Sequence, residues 1–128
     1  MKMSKLIRNR KVCMSVKQAN LQEYIEYSPD NFTKRIVFKE GESTVFVLNF
    51  TANQSLPKHK HPGTNVYLLV LSGGGTFTID GKDVKAKAND VIVADGEEEF
   101  AFVNDTGENT SLYVMLNKVP SEQYVQNI

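Results

Sequence analysis

The feature that most constrains this chain is a period-two alternation of apolar and polar residues in short runs. Ile36 and Phe38 alternate with Arg35 and Val37. Phe46, Leu48 and Phe50 alternate with Val47, Asn49 and Thr51, and Phe77 and Ile79 with Thr76, Thr78 and Asp80. Successive side chains of an extended strand point to opposite faces, so each run turns one set towards a core and the other towards water. Further runs at Val91–Val93, Phe100–Val103 and Leu112–Leu116 carry the Val, Leu, Phe and Tyr that favour strands.

Turn signals separate the runs: Pro29-Asp30-Asn31, Gly41-Glu42, Pro62-Gly63, Gly73-Gly74-Gly75, Asp80-Gly81, Asn89-Asp90, Asp95-Gly96 and Asp105-Thr106-Gly107. Asp-Gly between alternating runs marks a hairpin, because both central residues must tolerate positive φ. Turns spaced by about ten residues predict an antiparallel sandwich or barrel. Gly73-Gly74-Gly75 lacks the Lys-Ser/Thr ending and following helix of a phosphate cradle, so it is expected to be a hairpin turn. Leu21–Tyr27 suits a short helix or a strand. With 128 residues and no repeat or linker, one all-β domain is expected.

Lys plus Arg and Asp plus Glu each number 15, for a formal net charge of zero. That balance argues against a whole-surface nucleic-acid or membrane binder. The longest apolar run, Val66–Leu71, falls far short of the roughly 20 residues that span a bilayer. Residues 1–20 form a basic leader carrying Lys2, Lys5, Arg8, Arg10, Lys11 and Lys17 without an acid. Its apolar stretch Val12–Val16 is shorter than a signal peptide requires, so a cytoplasmic protein is expected. Cys13 is the sole cysteine, which excludes an internal disulfide framework and a thiolate zinc cluster. Val66–Leu71 is apolar on both alternating faces, so its outer face should also be covered; a homodimer is expected. The leader is suited to lie as an arm across a partner's acidic edge.

The only two histidines stand two apart in His59-Lys60-His61. On an extended strand both rings face one side and form a two-nitrogen clamp for zinc, iron, nickel or copper. The same pair also suits a polar surface, flanked as it is by Lys58 and Pro62.

Asn53 to Gly73 resembles the first motif of the cupin superfamily, Gly-x5-His-x-His-x3/4-Glu-x6-Gly, with Asn53 in place of the opening Gly. Asn still reaches a left-handed turn conformation. His59, His61 and Pro62-Gly63 match, and Val70-Leu71-Ser72-Gly73 resembles the family's closing segment. Asn89-Asp90-Val91, Ala94-Asp95-Gly96 and Phe102-Val103-Asn104 resemble parts of the second motif, Gly-x5-Pro-x-Gly-x2-His-x3-Asn. The resemblance covers about Ile36 to Leu116 and implies an antiparallel double-stranded β-helix, a jelly-roll barrel, here over residues 21–128. It also implies a small-molecule site inside the barrel.

Metal-bearing members of that family use three His and one Glu, and this chain departs from that set. Counting forward from His61 puts Asn65 at the Glu position, while counting back from Gly73 puts Val66 there. Counting forward from Gly96 puts Glu99 at the third His, while counting back from Asn104 puts Phe100 there. Two readings follow. In one, His59 and His61 hold zinc, iron, nickel or manganese with help from Glu99 and Asn65, and the protein is a metal-dependent oxygenase, isomerase or decarboxylase. In the other, Phe100 and Val66 fill the former ligand positions and the barrel is a metal-free binding or sensor module. Phe46, Tyr67, Phe100 and Phe102, with Phe77, are the aromatic candidates for contact with the ligand, or for plain core packing. The acidic run Glu97-Glu98-Glu99 beside Asp95 is either a solvated loop edge or a source of negative potential at the barrel mouth.

Overall fold

The computed structural model describes residues 15–118; Cys13 and most of the basic leader lie outside them. Nine strands follow one another: β1 (Thr33–Glu40), β2 (Ser43–Phe50), β3 (Ser55–His59), β4 (Thr64–Ser72), β5 (Gly74–Ile79), β6 (Lys82–Lys87), β7 (Val91–Asp95), β8 (Phe100–Val103) and β9 (Thr110–Lys118). They pair antiparallel into a five-stranded sheet ordered β1-β2-β9-β4-β7 and a four-stranded sheet ordered β3-β8-β5-β6. The result is an antiparallel double-stranded β-helix. The alternation that marks the strands in the sequence also divides them. Phe46, Leu48 and Phe50 of β2, Val66, Leu68 and Val70 of β4, and Leu112 and Val114 of β9 face inward. They meet Phe77, Phe100 and Phe102 of the opposite sheet. At one end of this core an aromatic chain runs from Phe32 to Phe50 (5.2 Å between centroids), to Phe102 (4.9 Å) and on to Phe77 (4.6 Å).

Two turns show how local chemistry fixes this order. Asp80 and Gly81 both have positive φ, +48° and +79°, and Ile79 pairs with Lys82 across them, as the tight hairpin expected of Asp-Gly requires. Gly73-Gly74-Gly75 is not a hairpin turn. β4 and β5 belong to different sheets, and the glycines form the corner at which the chain changes sheet. Gly73 has φ +74°, and a side chain there would collide with the hydroxyl of Thr110. Absence of a Cβ, rather than a tight reversal, is what the corner needs. Leu21–Tyr24 resolves the open segment as a single 3₁₀ turn, with the Asn20 side chain accepting a hydrogen bond from the Gln22 amide.

The segment before β1 crosses the outer face of the five-stranded sheet. Asn49 is fully buried there. Its Nδ2 donates to the Tyr24 carbonyl (2.9 Å) and the Thr33 hydroxyl (3.1 Å), and its Oδ1 accepts from the Ser111 hydroxyl (2.7 Å). Ser111 in turn shares a 2.6 Å hydrogen bond with the Tyr27 hydroxyl. A buried amide so fully partnered ties the crossing segment to β2 and β9. Farther along the same face Tyr67, Leu69, Tyr113 and Met115 line a shallow apolar groove with Val91. Val91 and Val93 are 71% and 60% exposed, so among the described residues the outer side of Val66–Leu71 is only partly covered.

Replacing Asn49 with Ala leaves the Ser111 and Thr33 hydroxyls without their buried partner. A loss of about 1–3 kcal/mol in unfolding free energy is expected, measured by denaturant titration. A loss below about 0.5 kcal/mol, the ordinary scatter of a surface change, would show that the crossing segment is not anchored here.

Candidate functional site

Between the sheets, at the end away from the Gly73 corner, lies a cavity of about 250 Å³. Its walls are Phe32, Leu48, Leu56, Val66, Leu68, Val114, Phe46 and Phe100, and its polar lining consists of Lys34, His59 and His61. The inward aim of the histidines depends on a β-bulge. Leu56 pairs with Phe102 and His59 with Phe100, so two residues of β3, Pro57 and Lys58, oppose one of β8, Ala101. In a regular strand Lys58 would share the inner face with Leu56. The extra residue instead brings His59 inward and leaves Pro57 and Lys58 exposed.

His61 is held by its backbone. Its N–H donates to the Gly96 carbonyl (2.9 Å), and its carbonyl accepts from the Thr64 amide (3.0 Å). Any side chain at Gly96 would collide with the carbonyl oxygens of His61 and Thr64. The two imidazoles stand edge to face, 4.8 Å between centroids, and His59 lies 4.5 Å from the ring of Phe100. Nδ1 of His59 is 2.7 Å from the Pro57 carbonyl oxygen. A carbonyl only accepts, so this nitrogen carries the proton and Nε2 is the ring's free nitrogen. The pKa of His61 is lowered, chiefly by burial, then by the charges of His59 and Lys34.

The candidate site residues separate into those the cavity gathers and those it does not. Phe46, Phe100, His59 and His61 line it. Asn65 alternates with the inward Val66 on β4 and pairs with Asp95 and Asn117 on the outer side of the cavity wall. Tyr67 lies on that outer face too, in the apolar groove. Glu99 is exposed; its N–H donates to the Asp80 carboxylate at 2.8 Å, while the next residue, Phe100, is the one turned inward. Phe102 and Phe77 belong to the aromatic chain at the core end. Both counts taken from the closing residues of the motifs, Gly73 and Asn104, therefore give the inward residue, Val66 and Phe100. The acids Asp95, Glu97 and Glu98 close the turn: Glu97 accepts from the Gly63 amide, Glu98 from the Asp95 amide, and Asp95 from the Glu97 amide. None of them lines the cavity.

Sequence reasoning did not single out Lys34. Its signal was the alternation Phe32, Lys34, Ile36, which sets it on the inner face at the rim, its ammonium 4.4 Å from the Phe46 ring centroid. As a metal centre the donor set falls short. Two imidazoles face positions filled by Val66 and Phe100, and no group of three His, Cys, Asp or Glu side chains suited to a metal occurs among the described residues. Resident zinc or iron is ordinarily held by at least three protein ligands, and the residues present do not fit one.

The sequence of residues 46–116 matches the family model described as a cupin domain. A solved protein from Thermus thermophilus superposes with a TM-score of 0.74 at 18% identity, covering 84% of this chain and 100% of its own. An RmlC-like cupin protein from Desulfovibrio desulfuricans gives 0.72 at 24%, covering 80% and 97%. A Klebsiella pneumoniae protein with a double-stranded β-helix domain gives 0.75 at 20%, covering 81% and 91%. Among curated proteins none matches this sequence.

The lowered His61 pKa has a consequence for stability. Between the folded and unfolded values the unfolded chain binds a proton that the folded chain does not. This contribution is therefore complete above the unfolded value of about 6.5 and is lost as pH falls through the folded value. His61→Gln is expected to remove that part of the acid sensitivity. Denaturant unfolding of both proteins from about pH 7.5 to 5 checks it; a free-energy difference constant across the range would contradict it.

Proposed function

This chain belongs to the cupin domain family, and on that premise we propose that it binds a small, largely apolar molecule in the cavity without a resident transition metal. It is then a binding or sensor module, not a metal-dependent oxygenase, isomerase or decarboxylase. The observation that carries this reading is the pair Val66 and Phe100, apolar side chains that line the same cavity as the imidazoles, where two further donors would be needed. An apolar cavity with a few convergent polar groups is the usual form of a small-molecule site. Here the walls supply hydrophobic burial, while the free Nε2 of His59 and the ring of His61 orient the ligand. The expected homodimer is carried by the groove on the outer face of β4, β7 and β9, with Val91 and Val93 as the surface a second copy would cover.

Protein purified without added metal is expected to contain less than about a tenth of an equivalent of any transition metal and to bind benzyl alcohol saturably in an NMR titration. Leu56→Trp, which fills the cavity from its rim, is expected to abolish that binding with the fold intact by circular dichroism. Near-stoichiometric metal, with probe binding lost on chelation, would overturn the reading.

A further inference from the structure

We infer that the ligand of this cavity is a small apolar carboxylate, and that Lys34 is the residue that selects for its charge. The inference rests on the reading above that the cavity binds a small molecule. Its first support is the sign of the polar lining. Among the described residues all three polar side chains on the cavity are bases, Lys34, His59 and His61, and no carboxylate lines it. Two acids of the turn after β7 are directed to backbone amides, Glu97 to Gly63 and Glu98 to Asp95.

The second support is the state of Lys34. Three other cations of the described residues have carboxylate partners: Lys17 with Glu40, Arg35 with Glu26 and Lys118 with Glu42. Lys34 forms no ion pair with a carboxylate of the described residues. Its ammonium lies instead over the face of Phe46, which itself lines the cavity. A cation–π contact of this kind positions the charge at the rim without neutralising it. Its field also reaches inward, since Lys34 is among the groups that disfavour the charged form of His61. An anion at this end relieves that repulsion.

The third support is size. An apolar cavity of about 150 Å³ accepts benzene, so about 250 Å³ has room for a ring and a carboxylate. The ring would lie against Phe46 and Phe100 and the carboxylate would point out towards Lys34. Nδ1 of His59 is already engaged by the Pro57 carbonyl, so only Nε2 of that ring can meet the ligand. Lys34 supplies the permanent positive charge for the carboxylate.

Benzoate and benzyl alcohol have the same ring and differ in charge, so titrating both by NMR separates charge recognition from cavity filling. The wild type is expected to bind benzoate about tenfold more tightly than benzyl alcohol at low salt, with the preference shrinking as salt screens the exposed ammonium. Lys34→Met is expected to erase the preference while keeping benzyl alcohol binding, and Lys34→Arg to retain it. Equal binding of the two probes by the wild type, or an undiminished preference in Lys34→Met, would overturn the inference and leave the cavity reading standing. Failure of both probes to bind would overturn the cavity reading and the inference with it.

Discussion

The register of β8 is the constraint on which the site depends. Asp80 sits in a left-handed conformation beside Gly81. From there its N–H donates to the Glu99 carbonyl at 2.8 Å and its carboxylate accepts from the Glu99 N–H at 2.8 Å. This double tie places Ile79 opposite Phe100 and turns Phe100, not Glu99, towards the histidines. A slip of one residue would exchange every inward and outward side chain of the strand. The chain would then present a carboxylate beside two imidazoles, and its chemistry would be that of a metal centre. The other end of β8 is held just as firmly. The fully buried Asn104 donates to the carbonyls of Thr51 and Glu108 and accepts from Thr106, and its backbone pairs with Asn53 and Gln54.

With both ends fixed, the histidine pair has an apolar companion. Phe100 packs against His59, and Val66 closes the floor from the opposite sheet. The features that would prepare a metal ligand are partly kept: Nδ1 of His59 is anchored on a carbonyl, and His61 resists protonation. What is changed is the number of donors. The same anchoring serves a hydrogen-bonding role equally well, since a fixed tautomer presents a fixed acceptor to whatever lies in the cavity.

Much of this was legible in the sequence for physical reasons. Strand faces follow from period two, and the Asp80-Gly81 hairpin from the need for positive φ. Asn53, which as Asn can replace glycine in a left-handed turn, has φ +70°. Harder to read were the features set by irregularity. The bulge in β3 that brings His59 inward has no sequence signature of its own, and spacing alone left Glu99 and Phe100 equally placed. A hairpin and the Gly73 corner share a demand for glycine, since both use positive φ and the corner adds the close approach of Thr110. Lys34 passed unnoticed because an inward lysine at a rim reads as an ordinary solvated charge until the opposing sheet is in view.

The most direct measurement is a zinc titration, by isothermal calorimetry, of the wild type and of Phe100→His, with folding of both verified. If Phe100 stands where a third donor is missing, the wild type binds zinc weakly and the variant gains about a hundredfold or more in affinity. Wild-type affinity already as tight as that of the variant would contradict the account.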